Sequence, residues 1–399
     1  MILFKSILTL LVIGGVLLAA PSGCKTKETS EPVTPAPAQR LVSSSLIGEY
    51  SPSQLRSRYT GINSLFQALI VNGINVYRLE YKTTNTDGKT VMASGALIVP
   101  DAATAAPLLS MQHGTIGGDS EAPSYYRSGS EAYTFGTVFA SQGYIIAAPD
   151  YIGYGASKDL PHTYDQRTGL ATASLDMLRA AREFMSKNNI NWDKHLYLAG
   201  YSEGGYATMA LQKKIEEETG DEFNLVASSC GAGAYDKTAF MKQVINERTS
   251  GVASINELYV WVLLTYDRIY GLNRPMTYYF KEPYATQVAA KGKEAVINVS
   301  LNQAFTDSFK KAINDGTDEG FLKAVRDNDI YDWKPRTPTQ LYHGDADNTV
   351  LYLNSVNARD AMQKRGATNV ELKPIRGGTH ATSILSYITG TYSFFGKTK

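Results

Sequence analysis

The sequence predicts an α/β fold: a mostly parallel sheet covered by helices on both faces, with an inserted helical cap. From about residue 75, short apolar runs alternate with helical stretches of about ten residues or more, as in a parallel sheet connected by helices. One segment, residues 235–333, breaks this alternation and shows no clear strand pattern. We interpret it as a cap inserted into the sheet domain; a plain second domain with its own core is the alternative.

The strands and helices are predicted from apolar spacing. Runs 76–81 and 91–99 alternate or are continuously apolar, and the Asp87-Gly88 pair between them indicates a hairpin. Stretch 170–187 has an apolar stripe with helical spacing. Further strands are predicted at 107–111, 144–148, 195–199, 223–228, 340–342 and 370–374, and further helices at 205–218, at 354–364 and from 380.

The cap segment carries its own helix signals. Ser254-x-x-Glu257 is predicted to be a capping box that opens an apolar helix ending at Gly271. A second helix is predicted at 319–326.

The composition is that of a folded protein and argues against a nucleic-acid partner. The chain has 399 residues, of which 43% are hydrophobic and 19% charged, so it is too apolar to be disordered. Its formal net charge is +1, whereas nucleic-acid recognition usually requires a basic surplus. Two cysteines are too few for a disulfide scaffold.

The N-terminus is predicted to be a signal peptide. Lys5 supplies a positive charge, residues 7–20 are almost entirely apolar, and small residues stand directly before Cys24. Residues 1–23 therefore resemble a bacterial lipoprotein-type signal peptide, after which Cys24 is the lipidated residue. An ordinary secretory signal, with Cys24 incidental, is the alternative.

Residues 24–44 are predicted to be a tether, because the Pro-rich stretch after Cys24 cannot bury enough surface to fold. Lys25 stands where an Asp would resemble an inner-membrane retention signal. We therefore expect a lipid-anchored protein of the bacterial cell envelope, at the outer membrane, which contacts the membrane through this lipid only. Cys230 then has no partner within the chain and is expected to be a small buried hydrophobe.

A candidate nucleophile follows the predicted strand 195–199. The sequence Gly-Tyr-Ser-Glu-Gly at 200–204 stands between a strand and a helix, which is the context of a nucleophile elbow with Ser202 at its tip. Glycines at 200 and 204 remove side chains that would collide in so sharp a turn. The backbone N–H of Glu203 then points inward from a helix N-terminus, where it can stabilise an oxyanion.

A serine hydroxyl needs a base to become a nucleophile. Where the serine lies on a nucleophile elbow, an acid and then a histidine follow it along the chain. Two candidate acids, Asp345 and Asp347, follow the strand at 340–342, and His380 is the one histidine after them. His343 is expected to have a packing role. The histidines before Ser202 break the order, and structural roles are expected for His162 and His195.

These motifs together resemble the secretory lipase family of esterases and its bacterial relatives. The matching segments are Gly-Tyr-Ser-Glu-Gly-Gly at 200–205, Gln-His-Gly-Thr at 112–115, Pro-Asp-Tyr-Ile-Gly-Tyr-Gly at 149–155, Asp-Trp-Lys-Pro at 332–335, and Leu-Tyr-His-Gly-x-x-Asp-x-x-Val at 341–350. The resemblance covers about residues 75–390 except the cap, and Leu351 stands where the family commonly has Pro.

The resemblance implies an α/β-hydrolase fold and a serine carboxylic-ester hydrolase. In the family pattern the acid is the third residue after the His-Gly pair, which selects Asp347 over Asp345. The implied catalytic residues are therefore Ser202 as nucleophile, His380 as base and Asp347 as acid. The second oxyanion donor maps to the backbone N–H of Thr115, with Gly114 as the alternative. Neither a metal nor a cofactor is required, and the sequence shows no ligand cluster for one.

Several assignments stay open at the level of the sequence. The Glu203 carboxylate either orients a loop or the substrate, or is a partly solvated acid favoured by the helix dipole. Aromatic residues of the cap line a pocket or, more commonly, form the core of the cap: Tyr259, Trp261, Tyr278, Tyr279 and Phe280.

The substrate and the function class also have alternatives. The expected substrate is a small-molecule, lipid or polysaccharide ester, of unspecified acyl length. A peptidase of the prolyl-oligopeptidase type is an alternative, although the predicted strands leave no room for its propeller before residue 75. A non-catalytic binding protein on this scaffold is a further alternative.

Overall fold

The structure is a computed structural model and describes residues 39–59, 61–102 and 104–398. The predicted signal peptide, Cys24 and most of the tether lie outside the described residues. Within the described part of the chain, no helix is long and apolar enough to cross a membrane.

Nine strands in the described residues form one sheet with the order β1-β2-β3-β5-β4-β6-β7-β8-β9. The strands are β1 (Leu41–Tyr50), β2 (Ile74–Thr84), β3 (Thr90–Pro100), β4 (Ala106–Gln112), β5 (Ile145–Pro149), β6 (Trp192–Tyr201), β7 (Asn224–Gly231), β8 (Thr339–Gly344) and β9 (Val370–Ile375). The first three run antiparallel to their neighbours, and β4 to β9 run parallel. The prediction of a mostly parallel sheet is confirmed.

The described residues also form thirteen α-helices. They are α1 (Pro52–Arg56), α2 (Thr137–Ser141), α3 (Arg167–Lys187), α4 (Glu203–Glu218), α5 (Lys237–Asn246), α6 (Ala253–Ile269), α7 (Met276–Tyr279), α8 (Tyr284–Lys291), α9 (Leu301–Ala304), α10 (Asp307–Asn314), α11 (Glu319–Asp327), α12 (Leu353–Lys364) and α13 (Ile384–Thr398). Each helix predicted in the sheet domain has a counterpart, and the last begins at Ile384 rather than at His380.

The sheet is buried on both faces, which explains its continuous apolar runs. Successive residues of a strand point to opposite faces, so Leu108 and Leu109 of β4 enter different apolar clusters. Leu108 packs with residues of α3 and α4, whereas Leu109 packs with residues of α2 and α13. The predicted coverage of both faces is confirmed.

The first strand corrects the predicted boundary of the tether at residue 44. Strand β1 begins at Leu41 and pairs with β2 along its length. The backbone N–H groups of Arg40 and Leu41 donate to the Glu183 carboxylate on α3 at 2.8 and 2.9 Å. The strand has a mostly exposed sequence rich in serine, so its pairing with β2, rather than an apolar pattern, gives it its conformation.

The cap consists of helices α5 to α11, all within residues 235–333 and between β7 and β8. It has its own apolar cluster, in which Phe309 packs edge-on against Tyr279 and Phe321. Cap and sheet nevertheless belong to one compact unit, Gln39–Lys399. The predicted capping box at Ser254 is wrong: the N-cap of α6 is Val252, two residues earlier, and no side chain caps the helix.

Candidate active site

Ser202 lies at the tip of a sharp turn between β6 and α4. Its φ is 60°, in the left-handed region that a residue with a side chain rarely adopts. A Cβ at position 200 would lie 2.3 Å from the Gly204 carbonyl oxygen, and one at 204 would lie 2.2 Å from the Gln112 carbonyl oxygen. Both contacts are with backbone, which cannot move aside, so the turn requires glycine at the two predicted positions.

His380 connects the serine to an acid. It lies on the loop between β9 and α13, where Tyr201 donates a hydrogen bond to its carbonyl oxygen at 2.8 Å. The His380 Nε2 lies 2.8 Å from the Ser202 Oγ, and its Nδ1 lies 2.6 Å from the Asp347 Oδ2. An imidazole with its proton on Nδ1 satisfies both bonds, because it donates to the carboxylate and accepts from the hydroxyl.

Asp347 is held in place by backbone and by a second histidine. Its Oδ1 accepts the N–H groups of Thr349 and Val350 at 2.8 and 3.0 Å, and its Oδ2 lies 3.4 Å from the His343 Nε2. Burial raises the pKa of Asp347, but the hydrogen bonds from His343 and His380 outweigh burial and hold it well below its ordinary value. The acid beside His380 therefore stays ionised.

Asp345, the other candidate acid, is exposed and does not reach His380. Its carboxylate accepts the N–H of Gly377 at 2.7 Å and so holds the loop that leads to the histidine. His343 is fully buried, as its predicted packing role requires, and its Nδ1 lies 2.7 Å from the Ser355 Oγ.

The loop after β4 carries the two alternative oxyanion donors, and their N–H groups differ in availability. The N–H of Gly114 donates to the Glu131 Oε1 at 3.0 Å and is therefore occupied. The N–H of Thr115 has no hydrogen-bond partner among the described residues, while its hydroxyl lies 3.0 Å from the Tyr164 hydroxyl. This difference favours Thr115 over Gly114. The N–H of Glu203 is in the first turn of α4, where helix amides have no partner within the helix.

The Glu203 side chain is buried, so the alternative of a partly solvated acid is wrong. Its Oε1 lies 2.7 Å from the His162 Nε2, and the His162 Nδ1 lies 2.6 Å from the Ile152 carbonyl oxygen. The carboxylate thereby connects the nucleophile helix to the loop after β5. His195 is paired with Asp193 at the start of β6, away from Ser202.

Two spaces meet at Ser202. One is a cavity that extends under the cap. Its walls are mostly apolar and come from helices α5, α6, α10 and α11. The other is a more open groove, lined by Thr115 and His380 on the sheet side and by Glu257, Trp261 and Lys293 on the cap side.

The aromatic residues of the cap divide between these roles. Tyr259 lines the cavity and Trp261 lines the groove. Tyr279 and Phe280 are fully buried in the apolar cluster of the cap, and Tyr278 packs against it. Among the described residues, no group of three or more His, Cys, Asp and Glu side chains is placed to hold a metal ion.

The sequence did not single out Glu131, and it gave His343 only a packing role. Burial raises the pKa of Glu131 to about 7, against a weaker lowering by the Gly114 N–H and a further increase from Glu203. No motif surrounds this residue, so no sequence signal marks it. The Leu-Tyr-His-Gly motif did include His343, but its contact with Asp347 depends on the path of the loop between them.

Comparison with known proteins places the chain in a family. The family model described as secretory lipase matches residues 133–391. Lipase 2 of Candida albicans is 28% identical over 225 residues, which are 52% of this chain and only 45% of that relative, so the match spans less than half of its length.

Solved structures show the same fold at low identity. The rice cell wall degrading esterase LipA of Xanthomonas oryzae superimposes with a TM-score of 0.77 at 24% identity, over 91% of this chain and all of its own. Candida antarctica lipase A does so with a TM-score of 0.61 at 18% identity, over 88% of this chain and 83% of its own. The fold is the α/β-hydrolase fold, and the chain belongs to the secretory lipase family.

Proposed function

We propose that the protein is a serine hydrolase that cleaves carboxylic esters, with Ser202 as nucleophile, His380 as base and Asp347 as the orienting acid. The observation that carries this proposal is the continuous hydrogen-bonded series from Asp347 through His380 to Ser202, with distances of 2.6 and 2.8 Å. Membership of the secretory lipase family supports ester hydrolysis as the reaction.

In the proposed reaction, the Ser202 Oγ attacks the ester carbonyl carbon while its proton passes to the His380 Nε2. The oxyanion accepts hydrogen bonds from the N–H groups of Glu203 and Thr115. His380 then gives its proton to the departing alcohol, which leaves an acyl group on Ser202. Water, deprotonated by the same histidine, attacks this acyl group and releases the acid and free serine.

The two spaces beside Ser202 suggest where each half of the ester binds. The cavity under the cap is lined mostly by apolar side chains, with Asp165, Glu203 and Lys237 among them, so we assign the acyl chain to it. The groove is open and contains charged side chains, which suits the alcohol half and its departure. This assignment favours acyl chains longer than acetate and a lipid-like or other apolar acyl ester.

The first test is hydrolysis of nitrophenyl esters from acetate to palmitate by the wild-type protein and by Ser202→Ala. We expect an optimum at octanoate or longer, and we expect the variant to lose essentially all turnover while keeping its thermal unfolding temperature. A fluorophosphonate probe should add its mass to the peptide that contains Ser202. Full activity of the variant would contradict the proposal.

The alternatives are tested in the same experiment. A dipeptide nitroanilide cleaved as fast as the best ester would favour the peptidase. A folded wild-type protein that neither hydrolyses esters nor reacts with the phosphonate would favour a non-catalytic binding protein.

We further propose that Cys24 carries lipid and attaches the protein to the outer membrane. The support is the order of charge, apolar run, small residues and cysteine in the sequence. Expression in a bacterial host with radiolabelled palmitate should label the wild-type protein but not Cys24→Ala, and the label should sediment with outer membranes. Equal labelling of both proteins would contradict the lipid site.

A further inference from the structure

Glu131 reaches the loop that carries the proposed oxyanion donor. It stands directly before a π-helical turn, Ala132–Gly136, which continues into α2. Its Oε1 accepts the Gly114 N–H at 3.0 Å. A Cβ built on Gly114 would lie 3.2 Å from this oxygen and 3.7 Å from the Ser202 Cβ. The carboxyl group thus touches the backbone directly beside the nucleophile.

Gly114 needs such a restraint because glycine has the widest choice of backbone angles. On its other side, the carbonyl oxygen of Gly114 lies 2.7 Å from the His113 Nδ1. In a trans peptide the C=O and the following N–H point in opposite directions, so a partner on the Gly114 carbonyl sets the direction of the Thr115 N–H. Glu131 and His113 therefore hold the two peptide groups that flank the Cα of Gly114.

We propose that Glu131 is a positioning residue that accepts the Gly114 N–H and thereby directs the Thr115 N–H to the substrate oxyanion. The inference rests on the function proposed above. Glu131 itself touches neither the substrate nor the reacting atoms in this account. It acts through the backbone of the loop after β4.

The charge of Glu131 has to be considered, because a carboxylate close to a developing oxyanion would oppose it. Glu131 lines the groove together with Ser202 and His380. What the loop requires from it is a hydrogen-bond acceptor rather than a negative charge. A glutamine keeps an acceptor oxygen at the same reach and removes the charge, so Glu131→Gln is expected to preserve the function of this side chain.

The test compares Glu131→Ala, Glu131→Gln and a matched control, Glu121→Ala. Glu121 accepts the N–H of Gly117 at 2.8 Å, so it makes the same kind of bond to the same loop, three residues further from Ser202. We would measure kcat and KM on nitrophenyl butyrate, with active sites counted by phosphonate titration and folding checked by thermal unfolding.

We expect Glu131→Ala to lower kcat by about 10- to 100-fold with KM within about threefold, because a misplaced Thr115 N–H weakens its hydrogen bond to the oxyanion, which is made in the transition state. Glu131→Gln should stay within about fivefold of wild type, and Glu121→Ala within about threefold. The proposal is overturned if Glu131→Ala keeps its kcat, if it changes only KM, or if glutamine fails to rescue.

If Glu131→Ala does not fold, Glu131→Asp replaces it. The aspartate withdraws the carboxyl by about 1.5 Å, one carbon–carbon bond, and should show the same loss of kcat. A wild-type level of kcat in that variant would also overturn the proposal. All these comparisons of variant and wild-type kcat require an active wild-type enzyme. An inert wild-type protein would refute the proposed ester hydrolase itself. An active wild type whose kcat is unchanged by Glu131→Ala would refute only the role of Glu131.

Discussion

Replacement of Asp347 by asparagine tests the proposed site most directly, because the structure dictates how the amide must be oriented. The Oδ1 of Asp347 accepts two backbone N–H groups, from Thr349 and Val350. An amide nitrogen placed there would face two donors and leave both without an acceptor, at a cost of about 1–3 kcal/mol for each. The asparagine oxygen therefore takes the Oδ1 position, and its NH₂ group faces His380.

This orientation forces the wrong tautomer on His380. An NH₂ group at the Oδ2 position can only donate, so the His380 Nδ1, now 2.6 Å from a donor rather than a carboxylate, must become the acceptor. The proton then moves to Nε2, which faces the Ser202 Oγ and can no longer take its proton. The same substitution in a serine protease with this kind of triad lowers kcat by about 10⁴-fold, and we expect that magnitude here.

The assay is kcat on nitrophenyl butyrate at neutral pH, with Asp345→Asn as the matched control. Asp345 is exposed, and its carboxylate hydrogen bonds only to the Gly377 N–H among the described residues, so its variant should keep kcat within about fivefold. The reasoning is refuted if Asp347→Asn retains a tenth or more of the wild-type kcat, or if the two variants lose activity equally.

Four further predictions concern the cavity, the Glu131 carboxyl, the cysteine and the cap. Val262 lines the cavity, so Val262→Trp should lower the ratio of kcat/KM on octanoate to that on acetate, and an unchanged ratio would contradict the acyl assignment. The folded-state pKa of Glu131 is about 7 against an ordinary 4.5, so the folded protein keeps a proton that the unfolded chain loses between these values. The contribution of Glu131 to stability therefore falls by about 3 kcal/mol as pH rises through this window, so Glu131→Gln should gain that much relative to wild type between pH 4 and 8 in urea unfolding. A pH-independent difference would be contrary evidence. Burial raises the pKa of the Cys230 thiol to about 12, so in Cys24→Ala protein a thiol reagent should react only after unfolding, and rapid reaction of the native protein would contradict the burial. Phe309→Ala should lower the free energy of unfolding by about 3–5 kcal/mol, since this ring is buried among other rings of the cap; a loss below about 1 kcal/mol would show a looser cap.

Much of the fold follows from local sequence pattern. Strands β4 and β5 are buried on both faces and therefore read as short apolar runs, and α3 has an apolar stripe. Strand β1 cannot be predicted from an apolar pattern, because it is mostly exposed and its conformation depends on pairing with β2. Helix α6 also begins two residues before the predicted position, because a Ser-x-x-Glu pattern does not ensure that the serine caps the helix.

Local motifs alone identify the residues that are candidates for the chemistry. The turn around Ser202 needs glycines at 200 and 204 for steric reasons, and the order of Ser202, Asp347 and His380 follows the order of the strands that carry them. The choice between the alternatives at this site depends on contacts that form when distant segments pack together. In the folded protein the Gly114 N–H donates to Glu131, and the Glu203 side chain is buried against His162. Both are contacts between side chains and loops distant along the chain, and their partners are set by how the elements pack rather than by any local pattern.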